Sequence, residues 1–303
     1  TNTYIIDDGE LAIIDPGPLN EEHFGNILSV IGSRTVKYIF LTHSHVDHSP
    51  LANKLSAELN TPIYGYGPSD AGLSATMLSL IENGYESGSE GIDYQFEPDH
   101  FIKNNEQFKL NDGIISVIHT PGHMGNHVCF QYGKILFSGD HVMGWATSMV
   151  SPPYGDLTQF MASCRLLESK EFVLLLPGHG DPVESPRERL NFLINHRLER
   201  ESQIKEAIKK IDIVAQEQFF DTYNQVKENF ETMFTVFFNG GKGSIELSDS
   251  NDPLNSDINI FAQPPGKRNN SLKMLSAGEK SLTAIALLFS IYQYKPSPFC
   301  ILD

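Results

Sequence analysis

Short apolar runs, each closed by a turn rich in glycine, aspartate or histidine, set the rhythm of the first part of the chain. Thr3 to Ile6 and Leu11 to Asp15 flank Asp8-Gly9, a hairpin signal. Lys37 to Leu41, Ile114 to Ile118, Lys134 to Phe137 and Phe172 to Leu176 are strand-like in length and content. Helices are predicted between them. Ser49-Pro50 precedes Leu51, Ala52 and Leu55, which predicts a helix with a capping serine and proline at its first position. Asp156 to Ser169 reads as a second helix. Ser185-Pro186-Arg187-Glu188 reads as a capping box opening a third, which runs through charged residues to about Lys210.

The pattern changes at Ile211. Phe219, Phe220, Phe230, Phe234, Phe237 and Phe238 follow, and no proline interrupts residues 187 to 252, so a helix is able to cross the junction. Then come Asn239-Gly240-Gly241-Lys242-Gly243, a short strand Ser244 to Leu247, a loop Asn251 to Asp257, and Ile258 to Ala262. An apolar helix follows Leu275-Ser276-Ala277-Gly278-Glu279, and the chain closes on the strand-like Phe299 to Asp303. A length of 303 residues suits two domains, expected at 1–210 and 211–303.

The densest chemistry lies in Thr42-His43-Ser44-His45-Val46-Asp47-His48, directly after the run ending at Leu41. Alternate residues of an extended segment point the same way, so His43 and His45 are placed to grip one ion. Asp47 and His48, past the turn, reach a second. Imidazole nitrogen with carboxylate oxygen favours zinc and its neighbours over calcium or magnesium. Three later turns repeat the theme: Thr120-Pro121-Gly122-His123, Ser138-Gly139-Asp140 and Pro177-Gly178-His179-Gly180 each follow an apolar run. Glycine lets the chain turn sharply there, placing a ligand on a rigid strand end.

These motifs, in this order over about residues 1 to 205, resemble the metallo-β-lactamase superfamily. The resemblance implies an αβ/βα sandwich with a two-metal site. It assigns His43, His45 and His123 to one zinc and Asp47, His48 and His179 to the other, with Asp140 bridging. Asp15 matches the first motif and would orient the histidine loop from behind. Within the superfamily the chain is most similar to the lactamase-like protein 2 branch, through Asn126-His127, Gly139-Asp140-His141, Asp181-Pro182 and the segment from His196-Arg197 to Ile204. Some members of that branch cut single-stranded RNA. The implied reaction is metal-assisted hydrolysis of a phosphodiester or an acyl thioester, with Asp47 and Asp140 as catalytic residues. His141 is read as a proton donor or substrate contact, or equally as a supporting residue. His23, His100, His119 and His196 have no ligand spacing. Trp145, the chain's only tryptophan, either meets a base or acyl group or packs beneath its loop. Residues 67 to 106 read as an insertion at the mouth of the site.

Residues 207 to 303 resemble the C-terminal lobe of the SMC (structural maintenance of chromosomes) ATPase head. The resemblance gives Ser276, Gly278 and Glu279 contact with ATP at a helix start, and makes Asp303 the carboxylate that acts on Mg²⁺. Such a lobe requires an SMC N-terminal lobe and a second head as partners. Three departures mark it: Ala277 stands where the family usually has glycine, the chain stops before the expected glutamate, and no phosphate-cradling Gly-x-x-x-x-Gly-Lys-Ser/Thr occurs. Thr1 is not an initiator and Asp303 falls within a motif, so the chain is expected to be a fragment of a fusion or a composite of two genes. The alternative reading makes the whole a chromosome-associated ATP-binding protein.

A net charge of −16 disfavours a generally basic nucleic-acid binder. It leaves RNA open, since bound metals supply local positive charge. Cys129, Cys164 and Cys300 are scattered and read as buried thiols in a reducing compartment. With no signal peptide and no bilayer-length apolar run, the expected location is the cytoplasm, with no membrane partner.

Overall fold

The computed structural model describes residues 1–85, 91–267 and 272–296. The chain divides into two compact units, Thr1–Glu199 and Arg200–Asp303.

In the first unit, elements follow the apolar runs: β1 (Tyr4–Asp8), β2 (Glu10–Ile14), α1 (Glu21–Ile31), β3 (Val36–Phe40), α2 (Leu51–Leu59), β4 (Ile63–Gly65), α3 (Ala75–Glu82), β5 (His100–Phe101), β6 (Gln107–Leu110), β7 (Gly113–His119), β8 (Val128–Tyr132), β9 (Ile135–Gly139), α4 (Leu157–Glu168) and β10 (Leu174–Pro177). They build two five-stranded sheets, ordered β1-β2-β3-β4-β5 and β10-β9-β8-β7-β6. Alternation along β2 shows why two layers form. Ala12 and Ile14 join Phe40, Phe108, Val117 and Phe130 in the core between the sheets, while Leu11 and Ile13 point outward to Ile27, Ile31, Leu51 and Leu55 of α1 and α2. The second sheet does the same, turning Ile118, Cys129, Leu136 and Leu175 toward Leu167 of α4 and Leu190 and Leu193 of the next helix. Helix, sheet, sheet, helix is the expected αβ/βα sandwich.

Local signals explain most ends. Asp156 caps α4, accepting from the Thr158 and Gln159 amides at 2.7 and 3.2 Å. Ser49 departs from the expectation that it caps α2. Pro50 takes that position without a side-chain cap, because the Ser49 hydroxyl turns to His45 O and Asp93 Oδ2 at 3.0 and 2.6 Å. It ties the histidine loop instead of the helix. The insertion lies against that loop: Val46 N donates to Gly91 O and Asp93 N to Ser44 O, both at 2.8 Å.

α5 (Pro186–Phe237) continues well past Lys210, and the division between units falls inside it. The second unit packs the end of α5 with the antiparallel pair β11 (Lys242–Leu247) and β12 (Ile258–Gln263) and with α6 (Ala277–Tyr294). Val226, Phe230 and Phe234, one helical turn apart, meet Ile245, Ala262, Leu275 and Ala286 in its core. Among the described residues no helix is long and apolar enough to cross a membrane.

Candidate metal centre

The ligand loops meet at one end of the sandwich, where β2, β3, β7, β9 and β10 finish. His43, His45, His123 and Asp140 form one group and Asp47, His48 and His179 another, each with its donor atoms within 4.8 Å of one another. In the first, His45 Nδ1 lies 2.9 Å from His43 Nε2 and 3.1 Å from His123 Nε2. In the second, His179 Nε2 stands 3.0 Å and His48 Nε2 3.3 Å from Asp47 Oδ2. Asp140 faces both groups. Its Oδ1 is 3.4 Å from His48 Nε2, and its Oδ2 is 3.4 Å from His179 Nε2 and 3.8 Å from His123 Nε2.

This set fits divalent cations. His48 Nε2 and Asp140 Oδ1 are buried without a hydrogen-bond partner, a costly state that a cation between them relieves. Three imidazole nitrogens converging at about 3 Å match the spacing of neighbouring ligands around one zinc-sized ion. Burial drives the His43 pKa far down and that of His45 to about 3, which leaves both rings neutral with lone pairs free. Burial also lowers His123. In the other group carboxylates prevail. Hydrogen bonds to Asp140 and Asp47 raise His179 to about 9. His48 is raised despite complete burial, because Asp15, Asp140 and Asp47 surround it.

Several candidate ligands are aimed from behind. Asp15, which takes a left-handed backbone with φ 51°, accepts from Thr42 N at 2.8 Å, Thr42 Oγ1 at 2.7 Å and His48 Nδ1 at 3.0 Å. Its carboxylate therefore keeps the His48 proton on Nδ1 and turns Nε2 to the centre. His123 Nδ1 meets Met149 O at 2.7 Å. His127, wholly buried, contacts the Asp140 amide through Nε2 at 3.2 Å and Thr120 Oγ1 through Nδ1 at 2.9 Å. Gly178 allows the closest approach. A Cβ there would run into Asp140 Oδ1 and stand 2.8 Å from His48 Cε1.

His141 is kept out of the cluster. Its ring is fully buried against Phe160, with Nε2 3.5 Å from Cys164 Sγ, and burial lowers its pKa to about 3. A proton donor or substrate contact needs a path to substrate, which this position denies. His23 and His119 are locally bonded, to Thr3 Oγ1 at 2.8 Å and Gly125 O at 2.9 Å. Trp145 does not pack beneath its loop. It is 73% exposed and lines a cavity of about 780 Å³ with His179, Gly180, Asp181 and Arg189.

Several contributors have no local sequence signal. Asn2 Nδ2 donates to Pro177 O and Gly180 O at 3.1 and 2.8 Å, and Tyr4 Oη to Pro177 O at 2.8 Å, which pins the His179 turn. Arg189 donates to Met143 O and Ala146 O at 2.6 and 2.5 Å, and Arg197 to Ser148 O at 2.5 Å. These arginines anchor the loop whose next carbonyl orients His123.

In the second unit Ser276 and Glu279 close a capping box at the start of α6. The Ser276 side chain accepts from Glu279 N, and Ser276 N donates to Glu279 Oε2 at 2.8 Å. Lys267 Nζ reaches the same carboxylate at 2.7 Å. Gly278 stands in open space. Asp303, with the closing strand, lies outside the described residues.

A sandwich carrying these histidine and aspartate groups defines a class, and likeness to known proteins names it. The chain belongs to the metallo-beta-lactamase superfamily, whose sequence pattern matches residues 1–179. Members of this superfamily are generally metal-dependent hydrolases. The fold is shared with a metallo-beta-lactamase family protein from Thermus thermophilus, at TM-score 0.53 and 20% identity over 66% of this chain and 75% of that one. A beta-lactamase domain protein from Burkholderia ambifaria gives TM-score 0.53 and 22% identity over 67% of this chain and 69% of its own.

A separate likeness is to the chromosome partition protein Smc. That of Coxiella burnetii is 45% identical over 126 residues, 41% of this chain, and that of Bacillus subtilis 41% identical over 129 residues, 42% of this chain. The match spans 11% of the length of each of those proteins.

Proposed function

We propose that residues 1–210 form a binuclear zinc-dependent hydrolase of the lactamase-like protein 2 type, acting on a phosphodiester such as single-stranded RNA or on an acyl thioester. The observation that carries this reading is Asp140, whose Oδ2 lies 3.8 Å from His123 of one group and 3.4 Å from His179 of the other. Bound divalent ions supply Lewis acidity and bring the pKa of a water toward neutrality. The protein's own residues do the rest. His43, His45 and His123 would hold one ion and Asp47, His48 and His179 the other. Asp140 Oδ2, directed at His123 and His179, would take the proton of the attacking water. Asp15 and the Met149 carbonyl hold His48 and His123 in the tautomers that leave Nε2 free.

The likeness to Smc proteins favours a second reading for the remainder. Residues 211–303 would then be an SMC-type lobe that contacts ATP and Mg²⁺ through Ser276, Gly278, Glu279 and Asp303, and needs an N-terminal lobe and a second head. On that reading the chain acts in chromosome segregation in the cytoplasm.

Turnover of single-stranded RNA, acyl thioesters and a chromogenic β-lactam by the full chain tests the first reading. Hydrolysis of RNA or thioester, lost with chelator and with Asp140→Ala, is expected. Turnover of the β-lactam alone would refute it.

A further inference from the structure

Two of the candidate ligands, His123 and Asp140, are joined behind the centre through one buried residue, Ser148. Its hydroxyl donates to the Asp140 carbonyl, and its own carbonyl accepts from Arg197 Nη2 at 2.5 Å. The next carbonyl along the chain, that of Met149, accepts from His123 Nδ1 at 2.7 Å. The Ser148 carbonyl fixes the rigid peptide plane that leads into Met149, and only two soft dihedrals separate it from the next plane. A displacement of Arg197 therefore passes to the Met149 carbonyl, and from there to the His123 ring.

Arg197 reaches the same two ligands along a second path. Its guanidinium lies over the Phe160 ring, 5.5 Å from the centroid. Phe160 is wholly buried in α4 and touches a chain neighbour of each ligand. A Cβ at Gly122, the residue before His123, would stand 2.3 Å from Phe160 Cα. His141, the residue after Asp140, packs on the Phe160 ring with centroids 4.6 Å apart. Asp156 N donates to Gly122 O at 2.9 Å and Ser163 Oγ to Pro121 O at 2.8 Å, so the turn carrying His123 is held to α4 and its cap.

For the fold alone, an arginine is a poor choice at this position. Its Nε is buried without a hydrogen-bond partner, and an unpaired buried donor destabilises the folded chain. Methionine has a similar reach and no donor to strand. It would leave the Ser148 carbonyl without Arg197, so the two changes offset each other in stability. What only the guanidinium supplies is the hold on that carbonyl. We propose that Arg197 and Ser148 are positioning residues that set His123 and Asp140 for the metal, one from α5 and one from the loop it grips. This inference rests on the hydrolase reading, in which His123 holds one ion and Asp140 bridges.

The test uses the full chain reconstituted with zinc or with cobalt. Arg197→Met should weaken a bound zinc about tenfold in competition with a chromogenic chelator, and shift the visible absorption bands of the cobalt-loaded chain. The urea midpoint of the metal-free variant should match that of the unaltered chain, which a purely structural role for Arg197 does not allow alongside lost affinity. Ser148→Ala, which removes only the hydroxyl on the Asp140 carbonyl, should weaken zinc in the same way and carries the test if Arg197→Met does not fold. Unchanged affinity and bands in either folded variant, or a midpoint that falls in step with affinity, overturns the inference and leaves the metal site standing. An unaltered chain that takes up neither zinc nor cobalt removes the hydrolase reading and this inference with it.

Discussion

Asp15 is the residue through which the second group of ligands is most open to perturbation, although it would bind no ion itself. Its carboxylate accepts from Thr42 N, Thr42 Oγ1 and His48 Nδ1, all buried. In Asp15→Ala three donors, Thr42 N–H, the Thr42 hydroxyl and His48 Nδ1–H, lose their partner, since His43 Nδ1, 2.9 Å from that hydroxyl, carries the proton of a ring whose Nε2 faces the centre. At about 1–3 kcal/mol for each stranded buried donor, the loss of folding stability is about 3–9 kcal/mol. Asp15→Asn separates orientation from stability. Its oxygen can still serve Thr42 N–H, but its amide nitrogen now faces His48 Nδ1 as a donor. The His48 proton is then driven to Nε2, the atom directed at Asp47 and Asp140, and the ring ceases to be a ligand. Zinc affinity of the second group should fall about tenfold to a hundredfold, as for other residues that orient metal ligands. Competition with a chromogenic chelator reads affinity, and urea unfolding of the metal-free variants reads stability. Asp15→Asn holding both ions with unchanged affinity would refute the tautomer argument.

Gly178→Ala should lower metal content to about one ion per chain, because the new methyl group meets Asp140 Oδ1 and His48 Cε1; elemental analysis of the purified variant checks this, and full occupancy would contradict it. In the metal-free chain the folded pKa of His179, raised from 6.5 to about 9, contributes stability that is complete below about pH 6.5 and lost as pH rises through about 9. Denaturant midpoints across that range should fall in the chain treated with chelator, and His179→Ala should flatten the slope. Phe234→Ala, which empties a buried position in the second unit, should cost that unit about 3–5 kcal/mol while the metal content of the first stays unchanged; limited proteolysis followed by metal analysis distinguishes the two.

The candidate ligands were legible because each is local. His43 to His48 fall within six consecutive positions, and His123, Asp140 and His179 each sit on a glycine turn after an apolar run. The layers were legible for a related reason: β2 alternates between two apolar faces, and covered sheets require that. What stayed hidden depends on distant partners. Asn2 and Tyr4 meet the His179 turn across 173 to 178 residues, so nothing near either residue announces the contact. His127 and His141 look alike in sequence, but only the fold turns one toward the Asp140 amide and the other toward Cys164. Ser49 looks like a cap because it precedes Pro50, yet Asp93, brought close by the insertion, takes its hydroxyl.

The central claim is that two groups of ligands, joined by Asp140, hold two ions. Elemental analysis of the full chain after mild purification and zinc reconstitution tests it most directly, together with Asp140→Ala and His179→Ala. The account predicts about two zinc-like ions per chain, falling to one or fewer in both variants. A chain that holds no ion after reconstitution, or variants that keep both, would contradict it.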